Sequence, residues 1–288
     1  MPSIVILAAG LGSRYGGDKQ LDTFGQNQRT LMEYNLINAS QAGFDHVIFV
    51  IRPEIEETLI QQVIPRLHKS FSYNIVHQTF NALPLNCTVQ PERKKPLGTA
   101  HALWCCKELL NERFAVINAD DYYGALAFRL LHQQSNLLSD EHLLVAYQLE
   151  KTLSEHGGVN RVLCGLSREN QLLQIDECEN IQQPNGKISG KITSTNEVVT
   201  LDSKTLVSMN CWLFSTDIFP YLEEEICQVL KNPNNTAECY LPTVVMKQIQ
   251  QTNKKIRVLE STEQWFGVTY KEDKEFVNNS VNANFASY

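Results

Sequence analysis

Apolar and polar residues alternate in blocks over the first 150 residues, and the blocks have the lengths of strands and helices. Short apolar runs predict buried strands, and the segments between them have the spacing of amphipathic helices. Gly43 stands where the first helix should end. Strand and helix in alternation predict an α/β fold in three layers, with a mostly parallel sheet between helices. The predicted strands are residues 4–9, 45–51, 88–89, 114–118 and 143–148, and the predicted helices are residues 31–39, 54–69, 99–110 and 124–138.

The pattern changes after about residue 150, where shorter strands surround a polar stretch. These strands are predicted at residues 162–166, 172–175, 198–201 and 206–214. We interpret residues 1–275 as one domain, in which residues 151–275 form a smaller annex to the half made by residues 1–150. Residues 276–288 are rich in Asn and Ser and are predicted to be a polar tail that frays.

The first predicted strand opens directly into a glycine-rich loop that carries Arg14 and Lys19. Glycines let the backbone approach a phosphate closely, and successive free N–H groups make an anion-binding nest. Tyr15 occupies the third glycine position of a dinucleotide fingerprint, and the P-loop sequence does not occur. The loop therefore predicts a nucleoside triphosphate site of another type.

A second chemical signal follows the apolar run at residues 114–118, where the chain reads Ala119-Asp120-Asp121. Parallel sheets bind ligands at the carboxyl ends of their strands. A carboxylate that faces a phosphate loop there is placed to hold Mg²⁺ against phosphate oxygens. We predict Asp120 as the metal ligand and Asp121 as the N-cap of the following helix.

Composition limits the class of partner and the compartment. A net charge of -7 argues against a nucleic-acid partner, which normally meets a basic face. The sequence shows neither a secretion signal nor an apolar stretch long enough for a membrane span, so we expect no membrane association and a cytoplasmic location. In that compartment the eight cysteines are predicted to be reduced, mostly buried thiols.

These motifs and their order resemble the sugar-1-phosphate nucleotidyltransferases, the sugar-nucleotide pyrophosphorylases of the NTP-transferase family. The opening stretch, residues 4–20, carries most of the resemblance. Residues 96–103, Pro-Leu-Gly-Thr-Ala-His-Ala-Leu, are similar to a stretch of the uridylyltransferases in that family. The resemblance implies a Rossmann-like sheet of the GT-A type, Mg²⁺ as cofactor, and an NTP and a phosphorylated small molecule as substrates. Relatives are often dimers, so a homo-oligomer is possible.

The resemblance also implies roles for individual residues. Arg14 would hold the β- and γ-phosphates, Lys19 the α-phosphate region, and Asp120 the Mg²⁺. The nucleotide-binding residues implied are Leu7, Ala8, Ala9, Gly10, Gly12, Gln90, Gly98 and Thr99, and the acceptor-binding residues are Gly158, Glu177 and Asn210. His101 is expected to be packed rather than catalytic, and the charged insertion at residues 92–95 to be a solvated loop, unless it reaches the leaving pyrophosphate.

The chain departs from the family pattern at one position. Many relatives place a second metal-binding Asp or Asn near the end of the catalytic core, where this chain has Gly267. Asp273 is the alternative second ligand, unless Asp120, phosphates and water molecules hold the ion by themselves.

The reaction implied is the attack of an acceptor phosphate oxygen on the α-phosphorus of an NTP. A phosphate monoester is largely dianionic at neutral pH, so the attack requires no general base. Three alternatives remain open at this point: a cytidylyltransferase-type enzyme for a non-sugar phosphate or phosphonate, a non-catalytic nucleotide-sensing relative, and a glycosyltransferase of similar fold.

Overall fold

A computed structural model describes residues 2–10, 19–85, 87–135, 140–232, 236–268, 270 and 272–285. Two predicted site residues, Gly12 and Arg14, lie outside these described residues. Within them, no helix combines the length and the apolar character needed to cross a membrane.

Long strands and helices alternate up to residue 148 as predicted, except that residues 72–77 rather than residues 88–89 form the third long strand. In chain order they are β1 (Ser3–Leu7), β2 (Thr23–Phe24), β3 (Arg29–Thr30), α1 (Leu31–Ala42), β4 (His46–Ile51), α2 (Glu56–Thr58), β5 (Ser72–His77), α3 (Thr99–Trp104), β6 (Phe114–Asn118), β7 (Asp121–Tyr122), α4 (Gly124–Ser135), β8 (His142–Gln148), β9 (Val159–Leu166), β10 (Leu172–Gln182), β11 (Ser189–Ile192), β12 (Val198–Thr200), β13 (Leu206–Phe214), α5 (Phe219–Leu230), α6 (Leu241–Thr252), β14 (Ile256–Ser261), β15 (Phe266–Gly267) and α7 (Asp273–Asn284).

The described strands build an eleven-stranded sheet, in the order β12-β11-β10-β9-β13-β6-β1-β4-β5, with β8 paired to β13 and β14 to β8. Strands β5, β4, β1 and β6 are parallel, which confirms the predicted Rossmann-like half. The predicted annex takes the form of β9–β12, an antiparallel extension, whereas β13 and β14 enter the central sheet.

Side chains of the central strands alternate between the two faces of the sheet, as strand geometry requires. Ile4 and Ile6 face a core that includes Met32 of α1 and Phe128 of α4. Val5 and Leu7 face the opposite core, to which α3, α5 and α6 contribute. The three-layer prediction is therefore confirmed.

Local sequence signals set the ends of α1. Thr30 and Glu33 form a reciprocal capping box at the N-terminus. Gly43 ends the helix at φ 107°, a left-handed conformation that glycine adopts without steric cost. Its predicted role as the stop is confirmed.

The predicted strand at residues 88–89 is wrong, because β5 takes the place at the parallel edge instead. The N-terminal half of β5 is exposed and its apolar residues are few, so the sequence carries only a weak strand pattern. The predicted helix at residues 54–69 is correct in place but irregular in form. It contains a π-helical stretch, Leu59–Val63, and ends in a 3₁₀ turn, Ile64–Arg66, which includes Pro65.

The predicted frayed tail is also wrong for residues 276–284, which belong to α7. Val277 and Val281 are fully buried against Phe24 and Tyr34. They are four residues apart and so lie on one face of the helix, a signal that the surrounding Asn residues obscure.

A disulfide corrects the expectation that all cysteines are reduced. Cys87, in the loop after β5, is bonded to Cys227 of α5, with their Cα atoms 5.7 Å apart. The other six cysteines are free thiols. Burial raises the pKa of the Cys105 and Cys164 thiols to about 12, which makes them poor nucleophiles.

Candidate active site

Lys19 and Asp120 meet at the carboxyl ends of β1 and β6. The two strands are parallel neighbours, and Ala119 N–H donates to the Leu7 carbonyl at 3.1 Å, which ties their ends together. Lys19 Nζ lies 2.8 Å from Asp120 Oδ2. The two side chains are 17% and 29% exposed, so the charge pair is partly screened yet open to a ligand. The structure thus brings together two of the three residues predicted to carry the chemistry.

The remaining predicted residues of the first loop offer backbone rather than side chains. Leu7, Ala8 and Ala9 are buried in the described part of the loop, and Gly10 is exposed. Gln20 Nε2 donates to the Gly10 carbonyl at 2.8 Å, which fixes the start of the loop against its end.

The residues around Asp120 fit a magnesium ion held by a single carboxylate. Oδ1 of Asp120 accepts no hydrogen bond from the described residues, and these contain no group of three or more side chains with metal-ligand geometry. Mg²⁺ commonly uses one or two carboxylates and completes its shell with phosphates and water. Both oxygens of Asp273 are engaged, since Oδ1 accepts from Ser154 Oγ at 2.8 Å and Oδ2 from Tyr270 N–H at 2.7 Å. The role of Asp273 as a second metal ligand stays a prediction, and these two hydrogen bonds do not favour it.

Asp121 is not the N-cap of α4. Its buried carboxylate accepts from Asn118 Nδ2 at 2.8 Å and from the Tyr123 hydroxyl at 3.2 Å. Burial and the neighbouring Asp120 carboxylate raise the pKa of Asp121 to about 7. The Glu263 carboxylate supplies the cap instead, accepting from Leu126 N–H at 2.8 Å.

Gly98 and Thr99 form a tight entry to α3, braced by the chain that enters α6. Gly98 has φ 94° and ψ -173°, a region that is essentially restricted to glycine. A Cβ there would lie 2.5 Å from the Cys239 carbonyl oxygen. The same oxygen accepts from Ala100 N–H at 3.1 Å, and Thr99 Oγ1 accepts from Leu241 N–H at 3.1 Å.

Gln78 is hydrogen-bonded to Gly98, and the base contact predicted for Gln90 stays a prediction. Gln90 is exposed in the loop, whereas Gln78 directly follows β5 and its Nε2 donates to the Gly98 carbonyl at 2.9 Å. Sequence reasoning overlooked Gln78 because it had not recognised β5. The available signal was a polar residue at the end of the short apolar run Ile75-Val76.

His101 is packed, as predicted. Its Nε2 lies 3.0 Å from the Ala82 carbonyl oxygen, and burial lowers its pKa to about 4.

The charged insertion at residues 92–95 is not simply a solvated loop. Arg93 is buried and donates to the carbonyls of Lys95, Pro96 and Ala237, at 2.8, 3.1 and 2.6 Å. Arg93 therefore anchors the loop on residues 236–239, the segment that also braces Gly98.

Two of the three predicted acceptor residues line a cavity of about 440 Å³, to which Asn118 at the end of β6 also contributes. Glu177 comes from β10, and Asn210 comes from a register shift in β13, where it has φ 59°. Gly158 is not among the lining residues, and its carbonyl accepts from the Tyr270 hydroxyl at 2.6 Å. The lining residues are Thr99, Asn118, Asn160, Arg161, Val162, Ile175, Glu177, Ser208, Met209, Asn210, Tyr240, Pro242, Thr243 and Met246.

Arg161 is a site residue that the sequence reasoning did not single out. It lies on β9, is only 7% exposed, and lines both this cavity and a neighbouring one of about 610 Å³. Its guanidinium stacks 4.8 Å from the Trp265 ring. The signal was an arginine at an inward position of a strand, two residues after the buried Val159, since alternate residues share a face.

Comparison with known proteins agrees with this geometry. Residues 4–136 match the model of the MobA-like NTP transferase domain. A putative glucose-1-phosphate thymidylyltransferase from Bacillus anthracis superposes with a TM-score of 0.64 at 14% identity, over 97% of this chain and 94% of that one. The inositol-1-phosphate CTP transferase from T. maritima superposes with a TM-score of 0.61 at 15% identity, over 95% of this chain and 91% of that one. UDP-glucose pyrophosphorylase from Acinetobacter baumanii superposes with a TM-score of 0.59 at 18% identity, over 100% of this chain and 95% of that one. None of the curated protein sequences matches this chain.

The fold and the family-model match together indicate a nucleotidyltransferase. The match covers residues 4–136, a little under half of the chain, and agrees there with the resemblance recognised in the sequence. At these identities the superpositions establish the shared fold.

Proposed function

We propose that this nucleotidyltransferase joins an NTP to a sugar 1-phosphate, giving an NDP-sugar and pyrophosphate. The observation that carries the proposal is that Asn118, two residues before Asp120 of the Lys19–Asp120 pair, lines the same cavity as Glu177 and Asn210. A cation and a carboxylate at the strand ends suit phosphates. The amides and hydroxyls of the cavity suit the hydroxyl groups of a sugar, and the solved structures of similar fold include a UDP-glucose pyrophosphorylase.

In this reaction an oxygen of the acceptor phosphate attacks the α-phosphorus. The new P–O bond forms as the bond to the β-phosphate oxygen breaks, and pyrophosphate leaves with that electron pair. The dianionic phosphate brings its own nucleophilic oxygen, so catalysis consists of alignment and charge neutralisation. Lys19 would neutralise charge at the α-phosphate, and Arg14, by the family resemblance, would hold the β- and γ-phosphates.

We propose Asp120 as the residue that holds Mg²⁺. When bound, the ion supplies electrostatic stabilisation of phosphate oxygens and orients the triphosphate. Asp120 is already within 2.8 Å of Lys19 Nζ, so the lysine must share the carboxylate with the ion or turn towards the phosphate.

For the nucleotide base we propose contacts from the backbone of residues 7–10 and from Gly98 and Thr99, with Gln78 rather than Gln90 as the side chain that sets the geometry. Gln78 Nε2 is committed to the Gly98 carbonyl, so its amide fixes the position of the loop against which a base would lie.

A second acceptor class is favoured by one observation. The cavity wall includes Val162, Ile175, Met209, Pro242 and Met246, which is more apolar surface than a sugar needs. A phosphate ester or phosphonate with an apolar or alkylated head group is therefore the second candidate. The cytoplasmic location and the homo-oligomer stay predictions.

Pyrophosphate release tests both candidates. Each of five NTPs with Mg²⁺ is paired with glucose 1-phosphate, inositol 1-phosphate, phosphocholine and 2-aminoethylphosphonate, on wild type and Lys19→Ala. We expect release with one or two NTPs and one acceptor class, abolished in the variant. Nucleotide binding without release from any pair would favour the nucleotide-sensing alternative.

A further inference from the structure

The acceptor cavity has one positive charge in its described wall, and that charge is Arg161. Glu177 is the one acidic residue of the same wall. An acceptor that carries a phosphate must bring a dianion into this space. Asp121 and Asp273 both lie close enough to interact electrostatically with Arg161. An approaching phosphate dianion needs a local cation, and Lys19 is already paired with Asp120.

The hydrogen bonds of Arg161 hold its guanidinium rigidly without exhausting its donors. Nε donates to Thr152 Oγ1 at 3.1 Å, Nη1 to the Asn160 carbonyl at 2.8 Å, and Nη2 to the Thr152 carbonyl. A guanidinium has five N–H groups, two on each terminal nitrogen. Among the described contacts, Nη1 and Nη2 each make one hydrogen bond, which leaves each nitrogen a second N–H for a phosphate oxygen.

The position of Arg161 also suits the reaction. It borders both the acceptor cavity and the neighbouring one, and β9 places it beside Cys178 of β10, one residue from Glu177. A phosphate on Arg161 would therefore enter the cavity that Glu177 also lines.

We infer that Arg161 binds the phosphate of the acceptor and aligns it for attack. The inference rests on the proposed function for the identity of the reaction, but phosphate binding can be measured without turnover. A purely structural arginine, present only to balance Asp121 and Asp273, is the competing explanation.

Calorimetric titration separates the two explanations. The probes are inorganic phosphate, glucose 1-phosphate, inositol 1-phosphate and phosphocholine, each ester compared with its phosphate-free alcohol. They are titrated into wild type, Arg161→Gln, Arg161→Lys and Lys19→Ala. We expect Arg161→Gln to weaken binding of the bound ester by roughly 10- to 150-fold, as the loss of charged hydrogen bonds implies, with nucleotide affinity changed by less than about threefold. Arg161→Lys should fall in between, because an ammonium is a point charge.

Arg113→Gln is the matched control for stability. Arg113 is also partly buried and donates to two backbone carbonyls, of Gln134 and Glu141, but it precedes β6 and so lies at the opposite end of that strand from Asp120. It should lose stability with no change in ester binding. A folded Arg161→Gln protein that keeps the wild-type preference for ester over alcohol would overturn the inference, as would ester binding that only Lys19→Ala removes.

Wild-type protein alone gives a further check if the Arg161 variants do not fold. Trp265 stacks on the guanidinium, so ester binding should change Trp265 fluorescence, with Trp265→Phe as the blank. Absence of ester binding, or an unchanged signal at saturation, contradicts the inference. Ester binding through Arg161 with no pyrophosphate release from any NTP would refute the proposed function and leave the inference standing. Pyrophosphate release at an unchanged rate in the Arg161 variants would refute the inference and leave the proposed function standing.

Discussion

Replacing Gly98 by alanine should damage the protein far more than the same change at Gly186. Both glycines have positive φ, 94° and 79°. Alanine at Gly186 would meet no atom within 4 Å, so only the backbone conformation opposes it, at about 1–2 kcal/mol. Alanine at Gly98 carries a similar backbone cost and also places Cβ 2.5 Å from the Cys239 carbonyl oxygen, which is backbone and cannot rotate away.

Relief of that contact must separate the chain before α3 from the chain before α6. The bonds at risk are Cys239 N–H to the Leu97 carbonyl at 2.7 Å and Ala100 N–H to the Cys239 carbonyl at 3.1 Å. Each buried bond left unmade costs about 1–3 kcal/mol, so the loss of both bonds together with the backbone cost makes the total for Gly98→Ala about 3–8 kcal/mol. Urea unfolding at pH 7.5 measures the free energy of unfolding for both variants, and NTP-induced thermal stabilisation measures the site. Gly98→Ala should lose stabilisation by NTP, whereas Gly186→Ala should keep it. A difference between the two variants below about 1 kcal/mol would refute the close-approach argument.

Three further predictions concern charge, protonation and the disulfide. Lys19→Ala and Asp120→Asn should each lower the rate of pyrophosphate release by about 10²–10³-fold, and unchanged turnover would remove that residue from the site. Burial holds His142 neutral in the folded protein and lowers its pKa to about 4. As the pH falls, the unfolded chain therefore binds a proton at His142 at a higher pH than the folded protein does. The free energy of unfolding should therefore fall by up to about 3 kcal/mol from pH 7 to pH 4, with His142→Gln showing a shallower decline in urea titrations. Reduction of Cys87–Cys227, which are 140 residues apart, should cost about 2–4 kcal/mol; a Cys227→Ser protein that matches oxidised wild type would contradict this.

The sequence was sufficient for strands β1, β4 and β6 of the parallel half and for placing the loops of Lys19 and Asp120 on one rim. Long apolar runs identify buried strands, and parallel strands end at one rim, so the loops that follow such runs are brought together without further information. The family resemblance then identified Glu177 and Asn210, which the structure places in one cavity.

Sequence reasoning failed where burial depends on distant partners. Strand β5 lies at an edge with half of its residues exposed, so it lacks the apolar run that marks a central strand, and Gln78 was missed with it. Strand β10 continues through the polar residues to Gln182 because β9 and β11 pair with it on both sides. The buried charge of Arg161 depends on its contacts with Thr152, Asn160 and Trp265. These contacts join separate parts of the chain, and no spacing pattern in the sequence predicts them.

Strand β8 acquires its neighbours late in synthesis. It ends at Gln148, yet its partners β13 and β14 finish at Phe214 and Ser261. At roughly 5–20 residues per second, a ribosome needs about 6–23 s to deliver the second partner. During that interval the apolar stretch His142–Gln148 has unpaired backbone groups. The edge of β6 that pairs with β13 is likewise unpaired until β13 has been synthesised. The nascent chain is therefore a candidate client for chaperones that shield open strand edges, and codon choice between residues 148 and 261 should affect its yield.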